Sequence, residues 1–292
     1  MKKLWKILLF SLLTILLLGI LSISLFIYRA KNGLPFYEYT PPELPPNIEG
    51  FSILLFSKTN GFPHTEAIEA AIPAFEKIAQ DNGWSIFSTN NGAVFNKKQL
   101  SKFDVVIWNN ATGRNLTDEQ RKSFEYYMNQ GGGFLGIHGT GDDSHHWDWY
   151  EQQLIGANFS HHPLNPQLQK GNIHLECDTT SYFPCENLPQ NHTRTDEWYV
   201  FFDNPRASGF KVLYTLEESG LVMNGNIPLL VSDKDFGMGD DHPIVWYRCL
   251  SNGGRTFYSA MGHTGDSFRE QMHLKMLENA IKWVGKLEGG CD

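Results

Sequence analysis

Apolar residues in this chain form short continuous runs that alternate with helical periods from about residue 50 onward. A continuous apolar run over residues 51–57 predicts a strand buried on both faces. Apolar side chains then recur at helical spacing from Ile68 to Ala79, and Asn82 and Gly83 end that helix. The folded part of the chain is therefore predicted to begin with a strand followed by a helix.

The same alternation continues through the middle of the chain. Residues 84–87 and 103–108 predict two further strands, and Thr117 predicts the N-cap of a helix. That helix runs to the glycines at 131–133, and a strand ending at His138 follows. Strands and helices at this spacing predict an α/β fold, a three-layer α/β/α sandwich of the flavodoxin-like kind with a mostly parallel sheet.

The C-terminal part shows fewer clear elements. Residues 244–247 and 255–260 predict two strands joined by a turn at 252–254. An amphipathic helix is predicted over residues 267–284.

An apolar stretch at the N-terminus is long enough to cross a bilayer. Residues 7–28 are almost entirely apolar, and a membrane-spanning helix needs about 20 such residues. Three basic side chains precede the stretch and two follow it. We predict an uncleaved single-pass anchor over residues 1–31, with the domain on the outer side of the membrane; a cleaved signal peptide is the alternative. Proline-rich residues 32–50 predict a semi-rigid linker to a domain over residues 51–286.

The charge distribution narrows the range of partners. Five of the 24 basic residues and none of the 32 acidic ones fall in the first 31 residues, so the rest carries an excess of 13 negative charges. Such a body repels phosphate backbones, which excludes nucleic acid as a partner.

The four cysteines fit an oxidising compartment without proving one. Cys177 and Cys185 are close enough in sequence to pair across a loop, whereas Cys249 and Cys291 have no obvious partners. No C-x-x-C pair occurs, so neither a thiolate zinc site nor a redox motif is indicated.

Polar loops follow three predicted strands, and the carboxyl ends of parallel strands share one edge of a sheet. These loops contain residues 60–64, residues 109–113 and His138. Imidazoles with carboxylates suit zinc and similar ions, or a general acid/base pair. We expect catalytic roles for His138, Asp196 and Glu197, metal binding by His64, His162, His242 and His263, and substrate binding by Asn109, Asn110, Trp198 and Tyr199.

Each of these residues also has an ordinary structural interpretation. No local metal-binding motif is present, so any site must be assembled from distant loops. Trp198 and Tyr199, each taken alone, are more readily explained as core residues, and Asp196 and Glu197 can be explained as a solvated face or a helix cap. His161 and His162 are adjacent, so at most one of them is expected to face the site.

Eight ordered blocks of the chain resemble the ThuA-like family, named for a trehalose-utilisation protein. The blocks are residues 56–64, 112–113, 131–138, 162–163, 194–199, 241–246, 254–258 and 262–264. The resemblance implies the class I glutamine amidotransferase-like fold. Glutaminases of that fold carry a cysteine at the strand–turn elbow where this chain has His138, so glutamine hydrolysis is not expected. The anchor and the segment 139–141, where small alanines are more usual, depart from the family pattern.

The resemblance also implies a role in sugar metabolism, particularly with trehalose-type disaccharides and their 3-keto forms. We therefore expect a membrane-anchored enzyme acting on a small carbohydrate through a His/carboxylate site. A divalent metal such as zinc is a candidate cofactor, and no nucleotide cofactor is expected. The alternatives are a non-catalytic carbohydrate-binding module and, less favoured, glutamine amidotransfer. The sequence leaves the oligomeric state open.

Overall fold

The fold is built on one large sheet. The structure is a computed structural model that describes residues 2–177 and 183–291, leaving out the side chains of residues 30 and 31. The strands in chain order are β1 Ser52–Phe56, β2 Ser85–Thr89, β3 Val105–Asn109, β4 Gly133–Ile137, β5 Phe159–His161, β6 Leu168–Leu175, β7 Asn191–Glu197, β8 Val200–Phe201, β9 Lys211–Glu217, β10 Pro243–Cys249 and β11 Arg255–Ser259. Nine of them form the sheet in the order β2-β1-β3-β4-β11-β10-β9-β6-β7, while β5 and β8 pair separately.

Helices cover the parallel part of this sheet. The helices in chain order are α1 Lys2–Asn32, α2 Thr65–Asn82, α3 Lys97–Leu100, α4 Asp118–Asn129, α5 Asp148–Tyr150 and α6 Gln271–Val284; α1 is exposed along its length and is not one of the covering helices. The β1–α2–β2 and β3–α4–β4 connections move in opposite directions along the sheet, so right-handed crossovers place α2 and α4 on opposite faces. The predicted α/β fold is confirmed.

The sheet has a parallel half and an antiparallel half. Strands β2, β1, β3, β4 and β11 are parallel, and β10, β9, β6 and β7 extend them in antiparallel pairs. Every residue of β1, β3, β4 and β11 is buried, as continuous apolar runs predict for strands covered on both faces. Strands β5 to β9 were not predicted.

Local signals at the helix ends explain where two helices begin and end. Thr117 and Gln120 form a reciprocal capping box at the start of α4, as expected of the predicted N-cap. Gly83, at a φ of 71°, ends α2 in the left-handed conformation that glycine adopts without strain. The predicted helix over 267–284 begins later, because Gly265–Arg269 forms a 3₁₀ turn before α6.

The proline-rich linker is bonded to the domain rather than standing free as a spacer. The Leu34 amide donates to the Asn60 carbonyl at 2.9 Å, and the Gln120 side chain donates to the Glu38 carbonyl at 2.8 Å. The Glu38 carboxylate pairs with Lys58, which is only 5% exposed. These contacts correct the expectation of an independent linker, since composition reports backbone stiffness but not what the backbone packs against.

All four cysteines are paired. Cys177 bonds to Cys185, the pairing that their spacing suggested. Cys249 bonds to Cys291, 42 residues away, which corrects the expectation that these two lack partners. Tertiary folding returns the C-terminal tail to the end of β10, and no local spacing records that.

Candidate functional site

Four side chains converge at the carboxyl ends of the parallel strands. His64 follows the loop after β1, His138 follows β4 directly, Glu197 ends β7, and His263 lies after β11. One potential ligand atom from each lies within 4.8 Å of the other three. We call these four residues the His3Glu group.

Three ligand atoms of the His3Glu group form a nearly equilateral triangle. His138 Nε2 lies 3.0 Å from His263 Nδ1 and 3.2 Å from Glu197 Oε2, and the third side is 3.1 Å. Ligands about 2.0–2.1 Å from a tetrahedral zinc ion lie about 3.3 Å from one another. The triangle therefore has the size that one small divalent cation requires.

The three imidazole rings surround a common centre. The ring centroids of His64, His138 and His263 are 5.0–5.1 Å apart, and each pair of rings is close to perpendicular, at 77–89°. The three rings are thus close together and mutually close to perpendicular, an arrangement in which one nitrogen of each ring can approach a common ion.

The hydrogen bonds of His138 show why a positive charge is needed at this centre. Its Nδ1 lies 2.7 Å from the Ala260 carbonyl, which only accepts, so we assign the ring proton to Nδ1. In the neutral ring, Nε2 then directs a lone pair at the Glu197 carboxylate. That contact is repulsive unless a proton or a metal cation lies between the two groups.

The pKa values around Glu197 also favour a positive charge at this centre. Burial alone raises the pKa of this carboxyl, but hydrogen bonds from His138 and His263, donated when their facing nitrogens carry a proton, outweigh burial and hold the pKa well below its ordinary value. Burial lowers the pKa of His263, but its hydrogen bond with Glu197 outweighs this and raises it. Burial, followed by the charge of His138, lowers the pKa of His64. The group thus keeps an ionised carboxylate beside at least one neutral imidazole.

The elbow that carries His138 is held by a dense set of bonds. His138 adopts a φ of 43°, which is unusual for a residue with a side chain. Its carbonyl accepts from the Tyr258 hydroxyl at 2.8 Å, and the amide of Gly139 donates to Asn110 Oδ1 at 3.2 Å. A Cβ at Gly139 would lie 2.9 Å from the His64 ring, so this glycine lets the two histidines approach each other.

His162 borders the group, whereas His242 does not join it. His162 Nδ1 lies 3.1 Å from Glu197 Oε1, and its side chain is 26% exposed. Burial lowers the pKa of His162, and the Glu197 charge opposes that effect. His242 Nδ1 contacts Glu218 at 2.7 Å, and its Nε2 contacts the Tyr199 carbonyl at 2.8 Å. Both nitrogens of His242 are therefore occupied, which corrects its placement among the metal ligands.

Asp196 lies behind the group rather than in it. Its carboxylate accepts from Arg194 at 2.9 Å and from the backbone amides of Gly262, His263 and Glu197 at 2.9–3.1 Å. In the structure, this side chain therefore holds the backbone of two members of the group.

The residues expected to bind substrate are largely structural in their contacts. Asn109 donates to Ser57, and Asn110 donates to the Gly262 carbonyl. Trp198 is buried and donates to the Gln169 carbonyl. The Tyr199 ring packs 4.2 Å from the His138 ring and so supports that ring from one side.

Gln167 was missed by the sequence interpretation. Its side-chain amide donates to Glu197 Oε1 at 2.6 Å and so helps to orient that carboxylate. It lies in a polar segment with no motif, and nothing in the sequence singles it out.

Comparison with known proteins identifies the family of this chain. The chain matches the family model described as "ThuA: Trehalose utilisation" over residues 52–284. The chain belongs to the ThuA family. A solved ThuA-like protein from Bacteroides uniformis is 26% identical, with a TM-score of 0.65, covering 84% of this chain and 95% of that one. Another, from Parabacteroides merdae, is 14% identical, with a TM-score of 0.61, covering 84% and 93%. Among curated proteins, none matches the chain.

The ThuA domain lacks the nucleophile that glutamine hydrolysis needs. His138 occupies the elbow, and both disulfides together use all four cysteines of the chain. This ThuA domain therefore offers no thiolate for acyl transfer.

Helix α1 is a separate feature of this ThuA protein. Its segment Lys2–Arg29 contains an 18-residue window with a mean hydropathy of 2.6, and none of that window is buried. By length and composition it can cross a membrane, a property that a signal sequence near an N-terminus shares.

Proposed function

We propose that this ThuA protein is a membrane-anchored enzyme that uses one divalent metal ion to act on a small carbohydrate, with a trehalose-type or 3-keto-disaccharide as the substrate class. The observation that carries the proposal is the triangle formed by His138, His263 and Glu197, completed by the His64 ring. The family description supports the carbohydrate class.

The donor set fits a zinc-like ion. Imidazoles are ligands of borderline softness and a carboxylate is a harder one, and zinc takes both; three of their atoms already have the spacing of a tetrahedral site. Glu197 is oriented by Gln167, and His138 is oriented by the Ala260 carbonyl, which are the supporting contacts that metal ligands usually have. A bound divalent ion supplies Lewis acidity toward a sugar carbonyl or hydroxyl oxygen.

The protein's own side chains then accept the proton that the substrate loses. His162 is the more exposed imidazole at the opening of the group, and its lowered pKa keeps it neutral near pH 7. A neutral imidazole can accept a proton from the carbon next to a sugar ketone, and Glu197 Oε1, 3.1 Å away, stabilises the resulting imidazolium. Elimination or isomerisation of a 3-keto sugar follows from that proton transfer.

We further propose that α1 remains attached and anchors the domain on the outer side of the membrane. Two disulfides support this side, because such bonds persist in oxidising compartments.

Metal content and turnover of the purified full chain test the proposal. We expect about one divalent ion per chain by mass spectrometry, with turnover of a 3-keto-disaccharide that a chelator abolishes and zinc restores. Glu197→Gln and His138→Ala should lose both the ion and the turnover. His174→Ala is the matched control, because His174 lies on β6 with its side chain 44% exposed. Glycan binding without metal or turnover would instead support a carbohydrate-binding module.

A further inference from the structure

Most exposed apolar side chains of the domain lie on segments connected to the His3Glu group. Among the described residues from 40 onward, nine large hydrophobic side chains are exposed, and seven lie on the loop before His64, on the segment after His162, on the hairpin 218–241 that contacts Gln169, or beside that hairpin at Phe202. We call these seven the apolar rim: Phe62, Leu164, Leu168, Phe202, Val222, Leu229 and Leu230. Scattered exposed hydrophobic residues are ordinary, but a cluster around one opening marks an interaction surface.

Direct contacts tie one part of the rim to the group. The Phe62 ring lies 5.3 Å from the ring of His64. Leu168 lies between two glutamines in the sequence. Gln167 donates a hydrogen bond to Glu197. The Gln169 side chain forms two hydrogen bonds of 2.8 Å with the backbone of Val222, a residue of the rim.

A protruding hairpin forms the rest of the rim. The segment 218–241 has narrow bridges between Asn224 and Asp235 and between Ile227 and Val231, and Leu229 and Leu230 lie at its tip. Leu229 is fully exposed.

The base of this hairpin packs beside the group. The Phe236 ring contacts the rings of His161 at 5.0 Å and Phe202 at 5.9 Å. The next residue after His161 is His162, whose side chain reaches Glu197.

The apolar helix α1 ends on the same rim. Phe26, near its C-terminal end, contacts the Phe62 ring at 6.3 Å. The chain then continues along the loop that precedes His64, where Leu34 bonds to Asn60. The partly exposed side chains of His263, a member of the group, and of His162, which borders it, lie among these loops.

We propose that the apolar rim rests on the bilayer into which α1 inserts, so that the His3Glu group opens toward the membrane surface. This inference rests on the proposed function. It assigns the substrate to the glycolipid class, in which the sugar part belongs to an amphiphile held in the membrane. The excess negative charge of the domain makes attraction to anionic lipids a poor driving force, so apolar insertion of the rim supplies the contact.

Lipid quenching of a fluorophore tests the orientation without reference to catalysis. The full chain is placed in nanodiscs of phosphatidylcholine and phosphatidylglycerol, with the environment-sensitive dye NBD on Leu229→Cys. The matched control carries the dye on Lys102→Cys, an exposed position just before β3 at the opposite edge of the sheet. We expect lipids with a spin label in the headgroup region to quench the dye at position 229 and not at 102. Equal quenching, or shielding of position 229 by a second copy or a protein partner, would overturn the proposal.

Turnover in the same nanodiscs tests the substrate class. The double variant Leu229→Asp/Leu230→Asp should lose about tenfold in kcat/KM on a 3-keto-disaccharide with a long alkyl chain inserted in the bilayer, about 1.4 kcal/mol. It should keep its metal and its turnover of the soluble 3-keto-disaccharide. Equal effects on both substrates would refute the membrane-held class. Quenching without turnover of either substrate would instead refute the proposed function and leave the orientation standing.

Discussion

Replacing Asp196 by asparagine tests whether this buried carboxylate holds the site together. The substitution keeps the shape of the side chain but removes its charge and replaces one acceptor oxygen with a donor NH2 group. The neighbours are Arg194 and the backbone amides of Gly262, His263 and Glu197, which all donate. One of these donors must therefore face another donor in the variant.

The expected cost follows from the burial of the pair. Asp196 is fully buried and Arg194 is 5% exposed, and breaking a buried ion pair costs about 3–5 kcal/mol. Arg194 retains Glu270 at 3.0 Å, so we expect the lower end, about 3 kcal/mol in the free energy of unfolding. Loosening the backbone of two ligands should also weaken metal binding by about 10–100-fold.

Denaturant unfolding of the metal-free protein and competition for zinc with a fluorescent chelator measure the two effects separately. The matched control is Asp81→Asn, which breaks the exposed pair with Lys77 on α2 and should cost at most about 0.5 kcal/mol. If Asp196→Asn costs no more than the control and binds zinc normally, then Asp196 does not position the group.

Three further substitutions probe the elbow, a buried carboxyl and a helix cap. Gly139→Ala brings a methyl group within 2.9 Å of the His64 ring, so zinc affinity should fall by at least about tenfold while the far-ultraviolet circular dichroism is retained. Burial raises the pKa of Asp142 to about 7, so the folded state holds this proton more tightly and stability falls as pH rises from about 4 to 7. Because Asp142 is partly exposed, we expect that fall to be about 2 kcal/mol and to be absent in Asp142→Asn, as urea unfolding at several pH values will show. Thr117→Ala removes a capping-box acceptor and should lower the free energy of unfolding by about 1 kcal/mol in the same assay, with no change in zinc binding.

The parallel half of the fold could be predicted from local patterns. Strands β1, β3 and β4 are continuous apolar runs because both of their faces are covered, and such runs are legible in a single sequence. Thr117 and Gly83 mark helix ends for equally local reasons, since a cap depends on its immediate neighbours. The elbow at His138 was found in the same way.

The antiparallel half of the sheet and the membership of the His3Glu group depend on contacts between residues far apart in sequence. Strand β7 stands five places from β4 in the sheet order, yet Glu197 at its end reaches His138, so this half of the sheet curls back over the elbow. Such a curvature of the sheet cannot be predicted from a single sequence. His242 shows the complementary difficulty: it precedes β10 in a loop like those of the other histidines, yet its ring contacts Glu218 and the Tyr199 carbonyl instead of the group.

The docked segment before the domain has a practical consequence for anyone who separates the domain from helix α1. Cutting the chain after Pro46, the natural choice from composition, removes Glu38 and leaves the nearly buried ammonium of Lys58 without its carboxylate. It also removes the hydrogen bond between Leu34 and Asn60, which lies in the loop before His64, so the cut alters a loop that carries part of the apolar rim. A soluble version should therefore start at Gly33. A protease that cuts near residue 32 would shed an intact domain, whereas one that cuts in the proline segment would shed a weakened one.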